Sequence, residues 1–297
     1  MQVGILSHAE SWYYQELHRA LVSAGHDVVL LDFHQQATAL ANTAVEFSAE
    51  ELDDLLQLNV LIVRSMPVGS LEQVIWRMDL LTRIEAAGVL VLNSPRSLEC
   101  AIDKYLTSSR LQAAGLPVPP TQVCESTNQA MLAFEGLGGD VVVKPLFGSE
   151  GRGIVRLSDP DLAWRTFRTL EATSSVIYLQ KFIQHEGADI RGLIFNGRLI
   201  GGMKRLAGKN FRTNISVDGT PTYYQLTEVE EKLALRAAEI TGVLFAGVDL
   251  LYDCVSGEPY ILEVNGVPGW RALEQVNGMN VAEILVHDLT ELLKKQN

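Results

Sequence analysis

What this chain of 297 residues lacks narrows it first. Its three cysteines, Cys100, Cys124 and Cys254, are odd in number and far apart, which suits neither a disulfide framework nor a zinc site. No apolar run approaches the roughly 18 to 20 residues that cross a bilayer. No basic region followed by an apolar stretch opens the chain, so no signal peptide and no membrane partner are expected. Excess positive charge is missing too: the net charge of −12 argues against a general nucleic-acid binder. There is no Gly-Lys-Ser/Thr after a glycine run, and so no Walker A loop. The first apolar strand runs into Ser7-His8-Ala9-Glu10, without the glycine fingerprint of a dinucleotide fold. The six histidines form no metal spacing, and no Ser-His or Cys-His arrangement stands out. Repeats and low-complexity stretches are absent. A hydrophobic content of 47% and a charged content of 20% are those of an ordinary globular protein, and the cytoplasm is the expected compartment.

What is present is unevenly placed. Between Val141 and Thr213 lie 12 of the 24 Lys and Arg but only 6 of the 36 Asp and Glu, so that quarter carries +6 and the remainder −18. A local basic field in an acidic chain suits a small anionic ligand, although a solvated basic face reads the same way. From the N-terminus, short apolar segments (residues 2–7, Val28–Leu31, Val60–Val63, Leu90–Leu92) alternate with helical patterns (Tyr13–Ala24, about Ala49–Leu56, Leu71–Ala87). Ala37–Ser48 reads as a loop. This alternation predicts a parallel sheet covered by helices. Asn93-Ser94-Pro95 closes that region, since Ser94 can cap a helix with Pro95 at its first position. Helix continues through Lys104 to Ala114 with a break near Asp103, until Gly115-Leu116-Pro117-Val118-Pro119-Pro120 stops it. Mixed strands and helices follow, with an Asn196-Gly197 hairpin, a helix Glu228–Thr241, strands Phe245–Tyr252 and Pro259–Val264, and a last helix Val281–Lys295.

Three groups carry chemistry. The stretch VVVKPLFGSEGRGI, Val141 to Ile154, reads as strand, flexible turn and strand, with Gly148, Gly151 and Gly153 in the turn and Lys144 beside it. Amides that approach a ligand next to a lysine make a phosphate site, and an ordinary hairpin tip is the plainer reading. In the last two strands, Glu263 and Asn265 are two apart and share a face, and Asp249 joins them if the strands are neighbours. Two carboxylates and an amide oxygen suit magnesium with phosphate; a structural salt bridge would also explain a carboxylate in an apolar strand. Lys104, Lys144 and Lys181 are point charges suited to clamping phosphates. Asp189, Arg191, Lys204, Arg205, Arg212 and Asn214 cluster around the hairpin.

Together these segments resemble a known family. NSP, DKYLTSSRLQAAGLPVPPT, VVVKPLFGSEGRGI, QKFI, ADIRGLIFNGRLIGGMKR, FRTNIS, GVDLLYD and EVNGVPG occur in the order found in RimK-type amino-acid ligases of the ATP-grasp superfamily. The resemblance implies an α/β ATP-grasp fold in three parts: an N-terminal open parallel α/β domain (1–98), a lid subdomain with the glycine-rich loop (99–180) and a mixed α+β C-terminal subdomain with the metal site (181–297). It implies ATP and two Mg2+ ions, with Mn2+ an alternative. Lys104 and Lys144 would contact the phosphates under a lid containing Gly148, Ser149, Gly151 and Gly153. Backbone groups of Lys181 and Phe182 would face the adenine, and Asp189 the ribose. Arg212, Thr213 and Asn214 would lie by the triphosphate, and Asp249, Glu263 and Asn265 would hold the metals. Lys181 departs from the glutamate common at its position, which bears on nucleotide preference.

The implied reaction passes a γ-phosphoryl group to a carboxylate and then displaces phosphate with the amine of an amino acid, expected to be glutamate. Arg205 and Arg212 are the expected stabilisers of the developing oxyanion. RSMPVGSLEQVIWRMDLL and EVNGVPGWRAL are most similar to members that act on tetrahydromethanopterin. Trp12, Tyr13, Tyr14, Trp76 and Trp270 offer aromatic faces for a pterin or serve as core. A ligase acting on a protein C-terminus or carrier protein and a non-catalytic ATP-binding regulator are the rival readings. A dimer or tetramer is expected, with Leu71–Ala87 a candidate interface.

Overall fold

The computed structural model describes residues 1–36, 55–148, 152–208 and 219–295. It forms two compact units: one of Met1–Glu99, Gly242–Phe245 and Gly266–Asn297, the other of Cys100–Thr241 and Ala246–Asn265.

The first unit is built on a parallel sheet of β1 (Gln2–Leu6), β2 (Asp27–Leu31), β3 (Val60–Val63) and β4 (Leu90–Leu92), in the order β2-β1-β3-β4. All four residues of β3 are buried, as in a strand covered on both faces. The helix Leu71–Ala86 starts with a capping box: Ser70 Oγ accepts from Gln73 N, and Gln73 Oε1 accepts from Ser70 N. Its buried face, Met78, Leu80, Leu81 and Ile84, meets Leu61, Val63, Val91 and Leu98, and Trp76 packs against the same core. The helix Trp12–Ser23 packs on Val281–Lys294. Asn93, 1% exposed, joins the separate segments of this unit. Its amide accepts from Phe245 N at 2.7 Å and donates to Phe245 O and Gly266 O at 2.8 and 2.6 Å. The strand order reverses between β1 and β3, where Arg64 N and Ser65 N both donate to Leu6 O.

The break expected near Asp103 is a cap. Asp103 Oδ1 accepts from Leu106 N at 2.9 Å, ending the helix Pro95–Ile102 and starting Lys104–Ala113, so Lys104 stands at the first helical position. In the second unit, β5 (Thr121–Cys124), β6 (Val141–Lys144), β7 (Val155–Leu157) and β8 (Ile177–Lys181) form an antiparallel sheet, order β5-β8-β6-β7. The helices Thr127–Gly136 and Pro160–Ala172 pack over it through Ala130, Phe134, Ala163 and Phe167. The glycine stretch is the β6–β7 hairpin, as expected. Gly153 has φ +72, and a Cβ there would sit 2.8 Å from Pro145 Cγ, so the turn requires glycine twice over.

The other sheet has the order β11-β10-β9-β12-β13, from β9 (Ala188–Phe195), β10 (Arg198–Leu206), β11 (Thr220–Tyr223), β12 (Phe245–Tyr252) and β13 (Pro259–Asn265). Asn196 and Gly197, φ 48 and 72, make the two-residue β9–β10 turn that their sequence predicted. The helix Glu228–Thr241 packs on β9 and β13 through small residues, Ala234, Ala237 and Ala238. Some elements were not anticipated, the 3-10 turn Phe33–Gln35 among them. Strand β11 contains Pro221, a poor strand signal, and is tolerated as an edge. The helix Arg271–Asn277 is short, although Gly278 at φ 63 marks its end. Of the helix expected at about Ala49–Leu56 only Leu55 and Leu56 are described, both helical; the loop Ala37–Ser48 lies outside the described residues. No helix among the described residues is long and apolar enough to cross a membrane.

Candidate active site

The last two strands do lie side by side. The β12–β13 register sets Asp249 opposite Glu263 and Gly247 opposite Asn265, and shifts by one residue just after Asp249. Such a bulge re-aims side chains at its edge. Asn265 Nδ2 donates to Gly247 O at 3.4 Å, which orients its amide.

Asp249 is buried and heavily engaged. It accepts from Arg191 Nε and Nη2 at 2.6 and 2.7 Å, and from Arg205 Nη2 at 2.9 Å. Arg205 also donates to Asp189, Nε to Oδ1 at 2.7 Å and Nη2 to Oδ2 at 2.5 Å. Asp189 and Arg205 are direct partners in the β9–β10 register, and both are 3% exposed. Two arginines and two carboxylates thus cancel within one buried network. Burial alone would raise the Asp249 carboxyl, but Arg191 and Arg205 hold it below its usual range. Burial likewise opposes the charge of Arg205, and Asp249 and Asp189 more than restore it.

Glu263 is perturbed the other way. Burial pushes its carboxyl up and the charge of Asp249 adds to this, against Lys104, Arg191 and Lys144. Lys144 is pushed down to about 8 by burial, with the like charge of Lys104 helping and Glu263 and Asp249 opposing. Lys104 is also lowered by burial, against Glu263 and Asp103. The four groups therefore feel one another's charge. Lys104 Nζ donates to Gly148 O at 2.8 Å, so the start of the glycine turn is tied to this lysine. Lys144 Nζ donates to Gln180 Oε1 at 2.6 Å. Gln180 in turn donates to Thr121 Oγ1 at 3.1 Å and to Tyr178 OH at 3.4 Å, and Tyr178 OH meets Ser108 Oγ at 3.1 Å.

The donor set fits magnesium. Glu263 and Asp249 oppose each other's ionisation across one register pair, and a divalent cation on hard oxygens relieves that repulsion. Among the described residues no three His, Cys, Asp or Glu cluster for a metal, and Asn265 offers an amide oxygen on the face of Glu263. A cation reaching Asp249 also has to compete with Arg191 and Arg205.

Several expected site residues have partners within the protein. Asp189, expected at the ribose, has both its oxygens bonded to Arg205 in a buried pair. Arg205, expected to steady an oxyanion, is enclosed between the carboxylates of Asp189 and Asp249. Trp270 and Phe245 are buried and form core, whereas Trp12 and Tyr13, packed against Trp270, are half-buried. The N–H groups of Lys181 and Phe182 donate to Pro120 O and Asp140 O, and the Phe182 ring is covered by Arg156 at 3.5 Å. Ser149, Gly151, Arg212, Thr213 and Asn214 lie outside the described residues. Sequence reasoning grouped Arg191 with anion-holding cations and missed it as the partner of Asp249. It gave Gln180 no role. The shared face of Asp189 and Arg191 on one strand was the available signal for the first.

Cations beside paired carboxylates, on antiparallel sheets, suit a phosphate-bearing ligand with its metal. The family model for the RimK-like ATP-grasp domain matches residues 101–289. The chain is 32% identical to the tetrahydromethanopterin:alpha-L-glutamate ligase of Methanosarcina acetivorans, over 98% of this chain and 99% of that one. It is 30% identical to a probable alpha-L-glutamate ligase of Aliivibrio fischeri, over 96% and 94%. Among solved structures, the ATP-grasp ligase PsnB complexed with a phosphomimetic variant of its minimal precursor, Mg and ADP superposes with a TM-score of 0.76. That match has 19% identity and covers 98% of each chain. The chain belongs to the RimK-like ATP-grasp family and is a carboxylate-amine ligase.

Proposed function

We propose that this enzyme joins L-glutamate to a carboxylate-bearing pterin cofactor, using ATP and magnesium. The acceptor carboxylate attacks the γ-phosphorus and ADP leaves, giving an acyl phosphate. The glutamate amine then attacks the acyl carbon, phosphate departs, an amide forms and the amine gives up a proton. Lys104 and Lys144 bind and orient the phosphates, with Gly148 held at Lys104 beside them. Asp249, Glu263 and Asn265 would hold two magnesium ions, which supply charge neutralisation for the moving phosphoryl group. Arg191 and Arg205 orient Asp249. Gln180 fixes the Lys144 ammonium. Lys181 and Phe182 line the base side, and Arg212, Thr213 and Asn214 are assigned to the triphosphate and reacting carboxylate through their family motif. The lid and metal-binding parts divide near residue 180 in this reading.

The observation that carries the proposal is the Asp249–Glu263 pair on neighbouring strands, with Lys104 and Lys144 near enough for their charges to act on Glu263. The relatives' names support glutamate and, at about this level of identity, the pterin. The experiment incubates the protein with ATP, magnesium and glutamate, and with tetrahydromethanopterin, a deazaflavin cofactor or a glutamate-ended peptide. Mass spectrometry reads the added glutamate residue. Glutamylated pterin is the expected product. Glutamylated peptide or deazaflavin would overturn the acceptor, and no product with any of them would overturn the ligase reading.

A further inference from the structure

One face of the β5-β8-β6-β7 sheet packs on its helices through Val141, Val143, Ile177 and Leu179. Side chains alternate along a strand, so Lys144, Tyr178 and Gln180 share the opposite face. The register sets Lys144 opposite Tyr178, and Gln180 opposite both Val142 and Thr121. Tyr178 and Gln180 are 1% and 3% exposed. Polar groups buried this deeply need partners, and here the partners form a chain with a single sense.

That sense follows from where each proton can go. An ammonium only donates, so Lys144 Nζ requires an oxygen, and Gln180 Oε1 meets it at 2.6 Å. The Gln180 Nε2 group then faces Thr121 Oγ1 at 3.1 Å and, less closely, Tyr178 OH at 3.4 Å. Thr121 gives its own proton to Pro119 O at 2.8 Å, so it accepts from Gln180. Tyr178 OH, accepting from Gln180, is left to donate to Ser108 Oγ at 3.1 Å. Burial raises the Tyr178 hydroxyl above its usual value, so it keeps the proton it needs as a donor. Turning the amide over would set its NH2 against the Lys144 ammonium, and its oxygen against a Thr121 hydroxyl already committed to Pro119. Ser108 lies four residues after Lys104 on the helix Lys104–Ala113, one turn along the same side. The chain of bonds therefore runs from the helix that carries one lysine to the ammonium of the other.

We propose that Thr121 and Tyr178 are positioning residues for Lys144. Their hydroxyls hold the Gln180 amide in the one orientation that presents its oxygen to the ammonium, and Ser108 anchors Tyr178 to the helix of Lys104. Both act through Gln180, and the inference rests on the reading of Lys144 as a phosphate ligand.

The test measures ATP binding to the full chain with magnesium and no acceptor, by calorimetry or, for weak variants, by competition against a fluorescent ATP analogue. Its outcome is thus independent of which carboxylate the enzyme takes. Thr121→Val and Tyr178→Phe should each weaken ATP by about threefold, and together by about tenfold, as Gln180→Leu does alone. Thr121→Ser, which keeps the hydroxyl, should restore the parental affinity. In a Lys144→Met background the same substitutions should change nothing, because the amide then has no ammonium to hold. A merely structural role would weaken binding there too. Unchanged affinity in the Thr121/Tyr178 double variant, or an equal loss with and without Lys144, would overturn the proposal. Lys144→Met binding ATP as tightly as the parent would instead overturn the phosphate reading beneath it.

Discussion

Arg205 and Arg64, buried in different units, are handled in opposite ways. Arg205 is enclosed by Asp189 and Asp249 and held above its ordinary range, while Arg64 is surrounded by rings and pushed down to about 10. A charge cancelled inside the protein serves to hold geometry, here the Asp249 carboxylate between Arg205 and Arg191. A charge left uncancelled is costly by itself, and aromatic faces answer it only in part. Burial is the same in both places; only the partners differ.

Asp249→Asn should sharpen this contrast most. It removes a proposed metal ligand and strips Arg191 and Arg205 of their shared anion. Glutamate-ligase turnover should fall by about a thousandfold, the equivalent of roughly 4 kcal/mol, and urea unfolding should show a loss of about 3–5 kcal/mol from the broken buried pairs.

The comparison is tested head-on by truncating each arginine. Arg205→Met leaves two buried carboxylates facing each other and should cost about 3 kcal/mol or more, whereas Arg64→Met leaves no orphaned anion and should stay within about 1 kcal/mol of the parent. Equal losses in thermal or urea unfolding would break the distinction drawn here.

Lys144 gives a pH signature. With its folded value near 8 against 10.5, its charge is lost as pH rises through about 8, so the ATP KM should climb several-fold between about pH 7 and 9, and Lys144→Arg should flatten that rise. The linkage has the opposite sign for stability. The cost of burying charged Lys144 is fully present below about 8 and fades as pH climbs toward 10.5. Smallest of all, Asp103→Ala should remove the cap before Lys104 and cost about 1 kcal/mol, with a modest rise in ATP KM because the lysine then sits on a frayed turn.

Much of this was readable before any coordinates. The helix Glu228–Thr241 and the Asn196-Gly197 turn are local decisions, written in periodicity and in residues that accept positive φ. Asp249 and Glu263 stand out because carboxylates in apolar strands are conspicuous, and Asn265 because it shares a face with Glu263. Strand β11 was missed because Pro221 argues against a strand, and only an edge position makes it tolerable.

The sequence by itself determined the elements, the family and the residue types able to hold ATP and a metal, since these rest on spacing over a few residues. Tertiary structure alone decided which charge answers which. Asp189 and Arg205 are 16 residues apart and Arg191 and Asp249 are 58 apart, joined only when strands pair. The register therefore turned Arg205 from an open cation into an enclosed one. It also left Arg64, with nothing unusual around it in the chain, as a buried charge with no ion-paired carboxylate among the described residues. Coulombic partnership depends on distance in space, and in a sheet that distance is set by strand order.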